Sequence, residues 1–404
     1  MADGGHILFF NYPAHGHFNP SLPVVAELVR RGHQVTYAVT KPYADAVAAT
    51  GATVLLYQSE APESWEDTPI PEEPTGDDAA VAILFQLLEG FAPLAAAEEH
   101  FGAQRPDLVV YDQYAHHTGR LLAKKWGRPG VMTCTTFAAN AQYSPYAKLA
   151  ETSTIVIDPA HPAFARLATT YAETMAAQGF PELSMEEFNV TGPDSTIVFV
   201  PRQFQLGAET FDETFHFVGS SLGDGVRDGR WTPPGDGKPV LLITMGSHGY
   251  ENRTQFYRNC VQAFTDQPWH VVMAIGTQVK PEELAPLPDN FEVHSWVPQL
   301  SVLEHASGFL AHAGMGSTLE SLYHGVAPVV VPRLGEQHLV ADRLVELGLG
   351  RKVLPTEATP EALREAVNGL AADEQAQAAV RKMQQHLRDS GGTRAAADAI
   401  EAKL

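Results

Sequence analysis

Three segments, Trp296-Val297-Pro298-Gln299, His312-Ala313-Gly314-Met315-Gly316-Ser317-Thr318-Leu319-Glu320 and Pro332-Arg333-Leu334-Gly335-Glu336-Gln337, follow one another near the ends of short apolar runs. The middle segment leaves an expected strand at residues 308–311 and passes through Gly314 and Gly316 into a helix beginning near Ser317. Strand, glycine turn and helix N-terminus together make an anion site, because unpaired backbone N–H groups and the positive end of the helix dipole face the turn. A diphosphate fits there. His312 and Ser317 can add side-chain donors, and Glu320, one turn into the helix, can accept from two adjacent ribose hydroxyls. The indole of Trp296 offers a stacking face for a pyrimidine. Glu336 and Gln337, at the next strand-to-helix turn, are placed to read sugar hydroxyls. Taken alone, the glycine segment suits an ordinary crossover with Glu320 on a solvated helix face, since it lacks the third glycine of a dinucleotide fingerprint. The three segments in this order favour the binding reading.

Outward from this stretch, short apolar runs alternate with helical ones, which is the pattern of parallel sheets covered by helices. Strands are expected over residues 6–12, 34–39, 53–57, 107–111 and 130–133, with 197–200 closing the first sheet. Helices are expected over 21–31 and 44–50, stopped by Gly32 and Gly51. A second series of strands runs 240–245, 270–275, 291–294, 308–311 and 327–331. The fold class is α/β, with two doubly wound, Rossmann-like halves. Between them, residues 222–238 (LGDGVRDGRWTPPGDGK) are too rich in Gly, Pro and Asp for a core element and read as a linker. The expected division is therefore 1–221, linker 222–238, 239–390, and a last amphipathic helix at 391–404 that would cross back onto the first half. Residues 60–78 combine eight carboxylates with several prolines and no periodicity; they read as a solvated loop or, alternatively, as a lid over a pocket.

The bulk numbers bound the partners. With 404 residues, 44% apolar and 19% charged, the chain can build two full cores. Its 27 basic and 48 acidic residues leave a net charge of −21, which argues against nucleic acid or an anionic membrane as partner. Cys134 and Cys260 fall in different halves, so no disulfide is expected and the chain reads as cytoplasmic. MADGGHILFF has no cationic leader. No apolar run is expected to reach the roughly 20 residues of a membrane span.

A second constellation follows the first strand: Asn11 to Pro20, NYPAHGHFNP. Ligands of open α/β sheets bind outside the carboxyl ends of strands, which is where His15, His17 and, after the fourth strand, Asp112 should lie. If His17 meets Asp112, the carboxylate takes one ring nitrogen and leaves the other to accept a proton. A metal site at His15 and His17 lacks further ligands at suitable spacing, His15 suits a capping role, and a serine hydrolase is not supported because no GxSxG falls at an expected strand-to-helix turn.

Taken together, HGHFNPSL, VVYD, WVPQ, HAGMGSTLE and GEQ resemble the inverting family-1 glycosyltransferases of GT-B fold, especially the actinobacterial enzymes that glucosylate and inactivate macrolide antibiotics. The resemblance implies two domains facing a cleft, His17 as general base and Asp112 as its partner. It places Trp296, Gln299, His312, Gly314, Gly316, Ser317 and Glu320 at the nucleotide diphosphate and Glu336 and Gln337 at the sugar. It also implies glucose transfer from UDP-glucose to a hydroxyl of a hydrophobic natural product such as a macrolide, an ansamycin or a polyphenol, in antibiotic resistance or tailoring. Met315 stands where plant relatives carry tryptophan, and the Trp296-to-His312 interval is shorter than theirs, so sugar choice does not carry over from them. A deoxyribose donor (dTDP-sugar) would leave one Glu320 bond unmade. No metal is expected, since no DxD triplet occurs. Phe85, Phe91, Tyr114, Phe137, Tyr143 and Tyr146 are candidate acceptor-lining residues. The enzyme is expected as a monomer or homodimer. The rivals are another GT-B chemistry, epimerase or phosphorylase, and a non-catalytic nucleotide-sugar-binding protein; retention of both His17 and Asp112 speaks against the last.

Overall fold

The computed structural model describes residues 4–404 except 61–70, 72–73, 191, 194, 224–228 and 248–250. Most of the loop at 60–78, and with it the lid reading, therefore lies outside the described residues, as does the middle of the linker.

The first half is a seven-stranded parallel sheet: β1 (His6–Phe10), β2 (Gln34–Val39), β3 (Thr53–Leu56), β4 (Leu108–Asp112), β5 (Gly130–Cys134), β6 (Ser195–Val198) and β7 (Phe215–Phe217), in the order β3-β2-β1-β4-β5-β6-β7. The second is six-stranded: β8 (Val240–Thr244), β9 (His270–Ala274), β10 (Phe291–His294), β11 (Ala306–Ala311), β12 (Pro328–Val330) and β13 (Arg351–Lys352), in the order β10-β9-β8-β11-β12-β13. Central strands such as HILFF, LVVYD and VLLIT are almost wholly buried, because a parallel sheet packs helices on both faces and needs continuous apolar runs. In each sheet the strand order reverses once, between β1 and β4 and between β8 and β11. A crevice opens at such a reversal because the helices on either side leave in opposite directions. The register Phe10↔Tyr111 brings the β1 and β4 ends level, and Ala311↔Thr244 does the same for β11 and β8.

The expected strands lie within two residues of the observed ones. Two edge strands were not legible. β7 is short and half-buried, and β13 consists of Arg351 and Lys352, with no apolar signal. The expectation about apolar runs needs correction as well: by length and composition Gly76–Phe101 is apolar enough to cross a membrane. In this fold it forms two helices, Gly76–Phe91 and Leu94–Phe101, whose Leu87, Phe91, Leu94, Ala97 and Phe101 are buried in the first half's core.

The final helix, Gly392–Glu401, packs on Ser21–Arg30, burying Ala396, Ala397 and Ile400 with Val24, Val25 and Leu28. Arg31 bridges to Asp398 at 2.6 Å and Glu401 at 2.5 Å, and His33 reaches Glu401 at 2.7 Å. The halves also share apolar packing, with Phe137, Val198 and Phe204 in one cluster with Leu241, Ile243 and Met315. Arg343 donates to the backbone oxygens of Phe204 and Gln203. Both cysteines are buried and unpaired with each other.

Candidate active site

The turn after β1 is built on Asn11, whose buried side-chain amide donates to His17 O (3.1 Å), Ser21 Oγ (3.2 Å) and Tyr37 OH (3.0 Å). These bonds hold the single-turn helix His15–Phe18 over the end of β1. His17 Nδ1 lies 3.1 and 3.0 Å from the two oxygens of Asp112, the last residue of β4, whose side chain is fully buried. Asp112 Oδ1 also accepts from Tyr114 N at 2.8 Å, and Thr135 Oγ1 stands 3.1 Å from the same His17 nitrogen. Burial acts to lower the His17 pKa; the Asp112 charge and hydrogen bond, helped by Glu336, outweigh it and hold the imidazole above its ordinary value. With Nδ1–H committed to Asp112, Nε2 is the nitrogen that can accept a proton. His15 sits elsewhere, its ring against Tyr43 at 5.2 Å and Trp296 at 5.7 Å.

Opposite this pair, β11 ends at Ala311 and the chain turns through His312, Ala313 and Gly314 into the helix Met315–Tyr323, with Gly314 as N-cap. Ala313 holds φ +64°, a left-handed conformation that costs a non-glycine residue energy and is kept only where the surroundings demand it. The His312 ring is cradled by two glycines. A Cβ on Gly246 would come within 2.7 Å of its Cε1, and one on Gly314 within 2.4 Å of its Nε2. Gln299 Nε2 donates to Glu320 Oε2 at 2.5 Å and to Ser317 Oγ at 3.1 Å, so three of the predicted residues form one hydrogen-bonded set around the buried Glu320. Trp296 is 58% exposed, with the His15 ring beside its indole. The Gln337 side-chain oxygen accepts from the Arg333 and Leu334 amides, closing the turn after β12. Glu336 reaches across to the first half: Thr136 Oγ1 donates to Oε1 at 2.5 Å and the Tyr114 hydroxyl lies 3.4 Å from Oε2.

The expected acceptor-lining set divides. Tyr114 packs on His17 at 4.6 Å, and Tyr146 is 57% exposed. Burial, with the Glu336 charge nearby, pushes the Tyr114 phenol well up. Phe85 is half-buried on the helix Gly76–Phe91. Phe137 is a correction: it is 1% exposed and stacks on Phe204 inside the core between the halves, because its strand-end loop folds inward there. Phe91 likewise sits in the core against His117 and Tyr171. Tyr143 packs beside Gly207 and Phe211. Sequence reading missed Asn11, Thr135 and Thr136. The two threonines follow β5, and their place at a strand's carboxyl end beside the reversal was the available signal.

Among the described residues, no group of three His, Cys, Asp or Glu side chains stands together as a metal site.

Two doubly wound sheets whose reversal points face each other, one presenting an imidazole–carboxylate pair and the other a glycine turn at a helix N-terminus, define a glycosyltransferase of the GT-B architecture. The comparisons agree. Residues 260–397 match the family model described as Erythromycin biosynthesis protein CIII-like, C-terminal domain. The chain is 37% identical to the NDP-glycosyltransferase YjiC of Bacillus licheniformis, over 99% of this chain and 98% of that protein. It is also 37% identical to the oleandomycin glycosyltransferase of Streptomyces antibioticus, over 99% of this chain and 91% of that one. The crystal structure of CalG4, the calicheamicin glycosyltransferase, matches with a TM-score of 0.86 at 42% identity, covering 100% of this chain and 99% of that one. The chain belongs to glycosyltransferase family 1 and is an enzyme.

Proposed function

We propose that this enzyme transfers glucose from UDP-glucose to a hydroxyl of a hydrophobic natural product, with inversion and without a metal. The observation that carries the proposal is the buried His17–Asp112 pair facing Glu336 across the cleft. His17 Nε2 takes the proton of the acceptor hydroxyl as that oxygen bonds to the anomeric carbon. The bond from that carbon to the diphosphate oxygen breaks on the opposite face, so one displacement inverts the centre. Asp112 stabilises the imidazolium as it forms. The amides after Gly314, with His312 and Ser317, meet the charge gathering on the departing diphosphate. Gly316 lets the chain approach it, and Trp296, Gln299 and Glu320 hold the nucleoside. Glu336 and Gln337 address the sugar.

UDP is favoured over dTDP because Glu320 is 7% exposed, and an acceptor bond left unmade there costs about 1–3 kcal/mol. For the acceptor class, the support is the pair of relatives whose names specify oleandomycin and calicheamicin, together with the aromatic surroundings of His17. We place acceptor binding in residues 1–221 and donor binding in 239–390, joined by 222–238.

The test is transfer from UDP-glucose and dTDP-glucose to a panel of macrolides, ansamycins and flavonoids, with and without excess EDTA. UDP-glucose turnover that survives EDTA supports the reading. Activity restored only by a divalent ion overturns the metal-free part. His17→Ala should lower turnover by about 10²–10⁴-fold while donor binding persists; near-normal turnover would remove His17 as the base.

A further inference from the structure

Tyr114 touches His17, Asp112 and Glu336 together. Its backbone N–H donates to Asp112 Oδ1 at 2.8 Å. Its ring lies 4.6 Å from the His17 imidazole, tilted 40°, and Tyr12 completes a three-ring cluster, 5.5 Å from His17 and 5.8 Å from Tyr114. Its hydroxyl points over the cleft to Glu336 Oε2 at 3.4 Å, beside the Thr136 hydroxyl on Oε1. The backbone bond needs only a residue other than proline at this position. The ring and the hydroxyl need tyrosine.

We infer that Tyr114 is a positioning residue with two separable tasks: its ring holds the base in register, and its hydroxyl couples Glu336, in the other half, to the base pair so that the sugar and the acceptor oxygen are aligned together. This deepens the reading given above and rests on it. The ring fills space against the imidazole that water would otherwise occupy, and an aromatic face within about 6 Å of a cation attracts it. Both effects favour one orientation of His17 as it becomes charged. The hydroxyl contact is long for an O–H···O bond, so it orients Glu336 without competing strongly with a sugar hydroxyl for the same carboxylate. Thr136 secures the other oxygen. A sugar hydroxyl arriving between the halves then meets a carboxylate whose direction is set by the acceptor side of the cleft.

The two tasks are separated by two substitutions. Tyr114→Phe keeps the ring and the backbone N–H and removes the hydroxyl; Tyr114→Leu removes both ring and hydroxyl. Calorimetric titrations with UDP-glucose and with UDP, plus steady-state kinetics, give the readouts. For Tyr114→Phe, affinity for UDP-glucose should fall about threefold to tenfold, the range of an ordinary hydrogen bond and below that of a short bond to a charged group because the contact is long, while UDP affinity stays as in wild type and most of kcat is kept. For Tyr114→Leu, the same loss of UDP-glucose affinity should be joined by a fall in kcat of tenfold or more. A merely structural tyrosine would lower active enzyme in both variants and leave the UDP-glucose to UDP ratio unchanged. An unchanged ratio in Tyr114→Phe, or full kcat in Tyr114→Leu, overturns the inference. A thermal double-mutant cycle of Tyr114→Phe with Glu336→Gln tests the contact whatever the donor is: coupling between the two supports it, and additive shifts overturn it. Loss of the base reading shows separately, as turnover retained by His17→Ala.

Discussion

Asp112→Asn is the sharpest perturbation of this site, because it changes one charge and hardly any volume. In the wild type a fully buried carboxylate lies 3.0 Å from His17 Nδ1. Unit charges about 4 Å apart attract by about 4 kcal/mol at an effective dielectric of about 20. The asparagine oxygen still accepts from Nδ1–H and recovers about 1 kcal/mol of this. The net loss, about 3 kcal/mol, falls on the imidazolium that forms in the transition state, so kcat should drop about 10²-fold, at about 1.4 kcal/mol per tenfold. The pH dependence supplies a second reading. Burial acts to lower the His17 pKa and Asp112 more than reverses it. Removing the charge leaves burial in control, so the acid limb of kcat/KM should move to lower pH while its plateau falls. Stability follows the same sign: a raised folded-state pKa contributes stability that is present below the unfolded value and is lost as pH rises through the folded one, and Asp112→Asn should abolish that contribution. Rates measured from about pH 5 to 9, over the window in which histidine titrates, with thermal midpoints at the same pH values, provide the assay. An acid limb that stays in place, with a plateau within threefold of wild type, would refute the role assigned to Asp112.

Three further outcomes are expected. Glu320→Ala should weaken UDP-glucose more than dTDP-glucose and narrow the preference between them, with Glu320→Gln milder because its oxygen still accepts one bond; donor titrations with an unchanged preference ratio would make Glu320 a part of the Gln299 and Ser317 packing only. Gly314→Ala puts a Cβ 2.4 Å from His312 Nε2 and forces the ring away, so donor and UDP affinity should both fall tenfold or more, by titration, with little change in thermal midpoint. Ile400→Ala opens a void between the last helix and Ser21–Arg30 and should cost about 2–5 kcal/mol in denaturant unfolding, without altering KM for the donor; a loss under 1 kcal/mol would mean that the ion pairs of Arg31, rather than burial, hold that helix.

Much of this protein was written locally. Continuous apolar runs such as residues 6–10 and 240–244 have one stable use, a parallel strand covered on both faces, and Gly32, Gly51 and the glycines of the 312–320 turn mark where the chain must bend. The donor-side residues come from one stretch of about forty residues in the second half, so their grouping needs only a strand, a turn and a helix. What joins the halves had no such signature. Thr136 meeting Glu336, and Tyr114 touching Asp112, His17 and Glu336 together, depend on how two separately wound sheets face each other, a geometry set by packing between elements far apart in sequence. For the same reason Phe137, an aromatic in a strand-end loop and so a fair choice for a pocket wall, turned out to be core: whether such a side chain meets ligand or its neighbour Phe204 is decided by which face the other half covers. Local order in this chain follows from propensity and periodicity, whereas the pairing of base, partner and sugar-side carboxylate follows from tertiary burial, which no window of sequence contains.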